Sequence, residues 1–187
     1  MATKIYLLSE DRLKTDLNLN NNTDVGYIAT AILNAQEIGL RSILGECLYN
    51  AILSMVSDGS ITGDTCTHYK YLLDNYIIPY LEYETTVYLL PNIEVKLDSI
   101  GSVRNNDEHT EHLSQKDFDL LVSHYQDICD SYRHFLQLYL RANGDLFPEL
   151  TDCSCGAIKP NLDSSESSPV FLGGFRGRIL RHDDCCR

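Results

Sequence analysis

Between Ser114 and Asn143 the chain carries a periodicity that only a long helix satisfies. Phe118, Leu121, Val122, Tyr125, Ile128, Cys129, Tyr132, Phe135, Leu136 and Tyr139 advance in steps of three, one and three, a heptad-like seam along one side of a helix. Ser114 stands where an N-cap belongs and Asp117 where a capping box wants an acid. Asn143-Gly144 supplies a left-handed stop. At 1.5 Å per residue this helix spans about 40 Å, the height of a small bundle. The seam could pair with a second copy as a coiled coil. It is read instead as packing within the chain, because other segments also have apolar faces that need a partner.

Those segments precede it. Ser9 caps a short helix over Glu10–Leu17, which the Asn-rich run 19–22 breaks. A second helix starts at Thr23 or Asp24, with Ile28, Ala31, Ile32 and Ala35 on one face. Gly39 and Gly45 interrupt the chain before a helix from Glu46 to about Ser57. From Asp64 or Thr65, the residues Tyr69, Leu72, Leu73, Tyr76, Ile77, Tyr80 and Leu81 form one stripe. The stripe keeps its phase across Pro79, so the proline is read as a kink, and Pro91 as the helix end. Ile93, Val95 and Leu97 alternate with charged residues, and Gly101 and Asn105-Asn106-Asp107 mark turns. This predicts a small β-hairpin over residues 93–104.

The fold expected is mainly α: a helical bundle with a long C-terminal helix, a small β-hairpin insertion and an extended C-terminal arm. Residues 1–148 form the helical domain, 149–169 a loose linker rich in Ser, Asp and Pro, and 170–187 the arm. Charge divides the same way. The 187 residues hold 15 basic and 27 acidic side chains, net −12. Residues 170–187 contain four Arg and two Asp, net +2, which leaves −14 on residues 1–169. An acidic body is the wrong surface for coating nucleic acid. The apolar and basic arm residues Phe171, Phe175, Arg176, Arg178, Ile179 and Leu180 lack a sequence-adjacent strand partner and are read as partner-binding.

Chemistry-bearing patterns are weak. Glu108-His109-Thr110-Glu111-His112 matches neither spacing that joins zinc ligands to a base, and reads as a solvated acidic loop. Cys153-Ser154-Cys155 and Cys185-Cys186, with His182, are poor matches to zinc-knuckle spacing and read as reduced thiols. Cys47, Cys66 and Cys129 fall in helical patterns as small hydrophobes. Asp127, Asp130, Arg133 and His134 are read as the water-facing side of the long helix, while Glu84 lies near the apolar stripe and needs a neighbour to pair with. No Gly-x-Ser-x-Gly, phosphate loop or dinucleotide fingerprint occurs, so the expectation is a non-enzyme with no cofactor and no metal. No apolar stretch reaches a membrane span and no secretory signal precedes the first helix, so a cytosol-like compartment is expected.

One arrangement of residues points to a family. Ile28-x-x-Ala31-Ile32-x-x-Ala35-Gln36 and Ile43-Leu44-Gly45-x-x-Leu48-Tyr49 are followed by Tyr71-Leu72-Leu73-Asp74-Asn75-Tyr76-Ile77-Ile78-Pro79-Tyr80-Leu81. Over roughly residues 5–148 this resembles the head–tail connector (adaptor) proteins of tailed bacteriophages, closest to the version in crAss-like phages. The strings are helical packing motifs rather than catalytic signatures. The resemblance implies a structural virion protein that forms a homo-oligomeric ring, usually of twelve copies, docked on the portal protein. Such a ring extends the DNA channel and gives neighbouring tail or ring proteins their attachment surface. It implies a place in the virion neck after assembly in the cytoplasm of the infected bacterial host, with no membrane contact. DNA passes through without specific binding. The Cys-rich linker and terminus have no counterpart in the family pattern. Two other classes compete: a small acidic adaptor or regulator that binds a basic partner, and a zinc-binding protein.

Overall fold

The computed structural model describes residues 4–17, 25–63, 66–98, 101–104, 114–151 and 157–162. The architecture is mainly α, as the periodicities require. Helix α1 (Glu10–Asp16) is capped by Ser9, whose side chain accepts from Arg12 N. Helix α2 (Val25–Asn34) runs through a wide π-helical stretch, Ala35–Leu40, into α3 (Arg41–Ser57). A 3₁₀ turn at Ser60–Thr62 leads to α4 (Thr67–Leu72), a second π stretch at Leu73–Ile77, and α5 (Ile78–Glu94). Strands β1 (Val95–Asp98) and β2 (Gly101–Arg104) pair antiparallel, Val95 opposite Arg104 and Asp98 opposite Gly101. The long helix α6 covers Gln115–Ala142.

Helix α5 is the centre of the bundle, packed against α2 on one side and α6 on the other. Leu8, Leu13, Ile28, Leu44, Leu48, Leu72, Tyr80, Leu136 and Phe147 are almost wholly buried in one continuous core. Each fully buried Leu or Ile contributes about 2 kcal/mol of hydrophobic stabilisation. Burial on α6 is confined to its second half, from Cys129 onward. The N-terminal segment is clipped down by a buried side chain: Gln36 Oε1 accepts from Leu7 N at 2.7 Å and Gln36 Nε2 donates to Ile5 O at 3.1 Å. Gly39 lets this part of the chain approach α5, since a Cβ there would lie 2.6 Å from the Tyr80 hydroxyl.

Several local readings change. Pro79 is the second residue of α5 and directly follows the π stretch. It has no N–H for the carbonyl of Asn75, and the widened turn moves that carbonyl away from its ring. Pro91 does not end the helix, which runs to Glu94, because a proline in the last turn forfeits only one bond. Ile93 is therefore helical and the hairpin begins at Val95. The end of α6 is not left-handed: Asn143 has φ −123° and caps through its own side chain, Nδ2 donating to Tyr139 O at 3.0 Å, before a 3₁₀ turn at Gly144–Leu146. At the other end the expected cap is present, with Asp117 N donating to Ser114 Oγ. Ser114→Ala is expected to lower stability by about 1 kcal/mol, read as a shift in the thermal midpoint followed by circular dichroism.

The largest departure concerns the expected loose linker. Residues 157–162 are laid against α3 and α6 as a strap. Gly45 breaks α3 with φ 76° and ψ 165°, a region essentially reserved for glycine. In an unbroken helix Glu46 N would donate to Ser42 O. Here Glu46 N donates to Ile158 O at 2.8 Å, and Ser42 O accepts from Asn161 N at 3.1 Å. The strap is thus inserted into an opened rung of the helix. Gln137 Nε2 holds Asn161 O at 3.0 Å, and the Arg141 guanidinium donates to Leu162 O. Composition missed the strap because backbone groups make most of these bonds, and Ser/Asp-rich sequence does not report them. Of the other residues assigned to the linker, 149–151 continue from a 3₁₀ turn at Pro148–Leu150, while 152–156 and 163–169 lie outside the described residues, as does the arm.

Candidate functional site

Two sets of residues were candidates for chemistry within the bundle, and the structure treats them differently. Asp127, Asp130 and His134 are exposed on α6 as expected. Arg133 is not: it turns inward and is buried. Its guanidinium lies 3.6 Å from Glu84 Oε2 on α5 and 3.5 Å from Asp130, and 5.8 Å from the centre of the Tyr80 ring. Cys129 donates to the same Glu84 oxygen at 2.9 Å. The helix angle of Arg133 falls at the border of the apolar seam, so a polar residue there reaches either water or a buried partner. Burial raises the Glu84 carboxyl above the usual carboxylate range, against the pull of Cys129 and Arg133. Burial likewise pushes the Cys129 thiol up, which keeps it neutral and a donor. This cluster ties α5 to α6 in the core interior.

The feature open to a partner lies on the adjacent face. Two series of tyrosines spaced by seven meet across the antiparallel helix pair: Tyr69, Tyr76 and Tyr83 on the α4–α5 run, and Tyr125, Tyr132 and Tyr139 on α6. Tyr76 stacks on Tyr139 with centroids 4.2 Å apart, and Tyr83 on Tyr132 at 5.1 Å. Tyr71 adds a ring 5.8 Å from Tyr139. Tyr69 closes the end of the ladder against Phe147 at 5.4 Å, and its hydroxyl donates to Glu149 at 2.8 Å. Burial and the Glu149 carboxylate both hold that hydroxyl in its protonated form. Each such ring pair adds about 1 kcal/mol beyond the area it buries.

Beside the ladder runs an open groove of about 430 Å³, walled by Tyr76, Tyr132 and Tyr139 and floored by Phe135, Leu138 and Ala142 of α6. Phe135, expected inside the seam, is 52% exposed, and Leu138 is 45% exposed. Together with Ser131 and Ala142 they stand at positions 131, 135, 138 and 142, a second heptad stripe beside the buried one. The heptad spacing of the tyrosines was the sequence signal for this surface. Reading each helix as a single apolar stripe concealed it, because stacked tyrosines count equally as core and as rim.

A search for similar proteins places the chain by sequence. The family DUF6712, a family of unknown function, matches residues 40–160, almost two thirds of the chain. The chain belongs to this family. The matched span opens one residue before α3 and closes at Pro160, so it contains Gly45 and the Glu46–Ile158 bond of the strap, while Asn161, which bonds Ser42 O, follows it directly. No curated protein and no solved structure matches the chain.

The remaining sequence candidates fall elsewhere. Phe171, Phe175, Arg176, Arg178, Ile179 and Leu180 lie outside the described residues, as do His109, His112, Cys153, Cys155, His182, Cys185 and Cys186. Among the described residues no group of three or more His, Cys, Asp or Glu side chains is placed to hold a metal, and no helix is long and apolar enough to cross a membrane. Cys129 and Cys66 are free thiols. Cys47 is disulfide-bonded, which corrects its reading as a small hydrophobe. It stands two residues after the Gly45 break, next to the strap, a proximity that position along α3 alone does not reveal.

Proposed function

We propose that this chain is a non-enzymatic structural virion protein, the subunit of a head–tail connector ring that docks on a portal and receives the tail. The reading rests on the resemblance of its helical strings to connector proteins. The observation that supports it most is where those strings fall. Gln36 clips the N-terminal segment, Gly45 accepts the strap, and Tyr80 and Leu81 are buried in the first turn of α5. The motif residues are thus the ones that fix the chain's distant segments to one another, as residues shared across a structural family should be.

Electrostatics fits the same role. A ring needs head-to-tail interfaces, and an acidic body of net −14 with a +2 arm has unlike parts to bring together. A channel lined by the body repels phosphates, so that DNA slides through without adhering. A structure of the assembly with a basic or neutral channel face would remove that part of the proposal. The direct test is light scattering after size exclusion, with negative-stain imaging of the purified protein alone and with a portal. Rings of about twelve copies are expected. A stable monomer that forms no ring even beside the portal overturns the connector reading. The −14 on residues 1–169 favours one second reading, a small acidic adaptor that engages a basic partner, and that protein would remain monomeric in the same measurement.

A further inference from the structure

We infer that the tyrosine-walled groove on α6 is the acceptor for the C-terminal arm of a neighbouring copy, an inference that rests on the ring reading above. The groove is an apolar, aromatic surface left open in a single chain: Phe135 and Leu138 are about half exposed, with Tyr76, Tyr132 and Tyr139 as its wall. Something of matching chemistry has to cover it in an assembled state. A second copy's α6 laid against it would bring two acidic bodies together, each of net −14. The arm has the opposite character. It alternates apolar residues, Phe171, Phe175, Ile179 and Leu180, with Arg176, Arg178 and Arg181.

Each half of that pattern has a place on the groove. Phenylalanines fit between the Phe135 and Leu138 side chains, and guanidinium groups stack on tyrosine faces, the preferred cation–π pairing. On α6 the exposed charges before the groove, Asp127 and Asp130, are acidic, and the exposed Arg141 beside Ala142 is already engaged by Leu162 O, so the body of net −14 favours a basic ligand over an acidic one.

The chain's path also suits this. Leu162, the last described residue of the strap, is held by Arg141 in the last turn of α6, the residue before Ala142 of the groove. Residues 163–169 then separate that point from the arm. Seven residues reach at most about 25 Å, enough to cross a seam between adjacent subunits. Between copies, the arm sets a net charge of +2 against acidic bodies of net −14. Donation across the seam therefore offsets their repulsion, which the same arm folded onto its own groove would not do.

A complementation experiment separates these possibilities. One full-length variant carries Phe135→Asp and Leu138→Asp, which blocks the acceptor. A second carries Phe171→Asp and Phe175→Asp, which blocks the donor. The acceptor changes are on exposed positions, and the donor changes lie beyond the bundle, so far-UV circular dichroism should match the unmodified protein for both. Should the acceptor variant fold poorly, Phe135→Ser with Leu138→Ser replaces it. Light scattering is expected to show rings for the unmodified chain and monomers for each variant alone. An equimolar mixture should give a 1:1 heterodimer of doubled mass, because one chain retains an arm and the other a groove. Variants that still form rings unaided overturn the inference while leaving the connector reading intact. A mixture that stays monomeric overturns donation between copies. A monomeric unmodified protein overturns the connector reading itself, and the inference with it.

Discussion

Gly45→Ala is expected to be among the most damaging single changes available, costing about 3 kcal/mol of the 5–15 kcal/mol that holds a domain of this size. Two effects add. The backbone at φ 76° and ψ 165° is one that L-residues avoid, worth about 2 kcal/mol. A Cβ would also lie 2.7 Å from Pro160 N and 2.8 Å from its Cδ, so the strap must withdraw. Withdrawal forfeits both strap bonds, Glu46 N to Ile158 O and Asn161 N to Ser42 O. Gly59 is the control: its φ is 77°, yet no atom lies within 4 Å of the position a Cβ would take. Gly59→Ala should cost only about 1 kcal/mol. The comparison is made by urea unfolding, with protease susceptibility near residues 157–162 as a second readout. Equal losses at the two glycines would show that the strap contributes nothing.

Glu84 and Arg133 make the second large prediction, and it is asymmetric. Removing one partner of a buried pair leaves a charge without its counterion, at a cost of about 3–5 kcal/mol. A guanidinium cannot shed its proton, whereas a carboxyl can gain one. Glu84→Leu should therefore sit at the costly end at every pH from 5 to 8. Asp130, itself exposed, offers Arg133 only weak compensation. Arg133→Leu leaves Glu84 buried with its pKa raised further than burial already sets it. A carboxyl with a raised folded-state pKa supports folding while it is protonated and loses that contribution as pH rises through the folded value. The Arg133→Leu deficit should accordingly be small near pH 5 and grow toward pH 8. The double variant Glu84→Leu with Arg133→Leu should recover most of the loss. Denaturation midpoints at four pH values measure all three, and parallel pH dependence in the two single variants would contradict the assignment.

What the sequence disclosed, and what it withheld, follows from the range of each interaction. The caps at Ser9 and Ser114 and the apolar faces of α2, α5 and α6 were readable because the pattern and the element lie within a few residues of each other. The hairpin was readable from alternation, with an error of two residues where α5 persists beyond Pro91. Gly45 is legible in the sequence as an interruption, but its partner stretch of chain is 112 residues away, from Glu46 to Ile158, and no local pattern encodes that. Arg133 was misplaced because its position on the helix borders the seam. The groove was missed because Phe135 has the spacing of a seam residue and yet lies outside the stacked tyrosines.

The opened rung in α3 also sets an order of events during synthesis. Ser42 and Glu46 leave the ribosome early, well before residues 158–161, which bond to them in the folded chain. At about 20 residues per second, the faster end of translation, the intervening chain takes roughly 6 s to appear. Through that interval Glu46 N is free to donate to Ser42 O as in an ordinary helix, and the rung opens only when the strap arrives. A chain cut short before the strap lacks the two backbone bonds that fix residues 158–161 to α3, so the earliest helices are joined to the latest residues only once synthesis has passed Asn161.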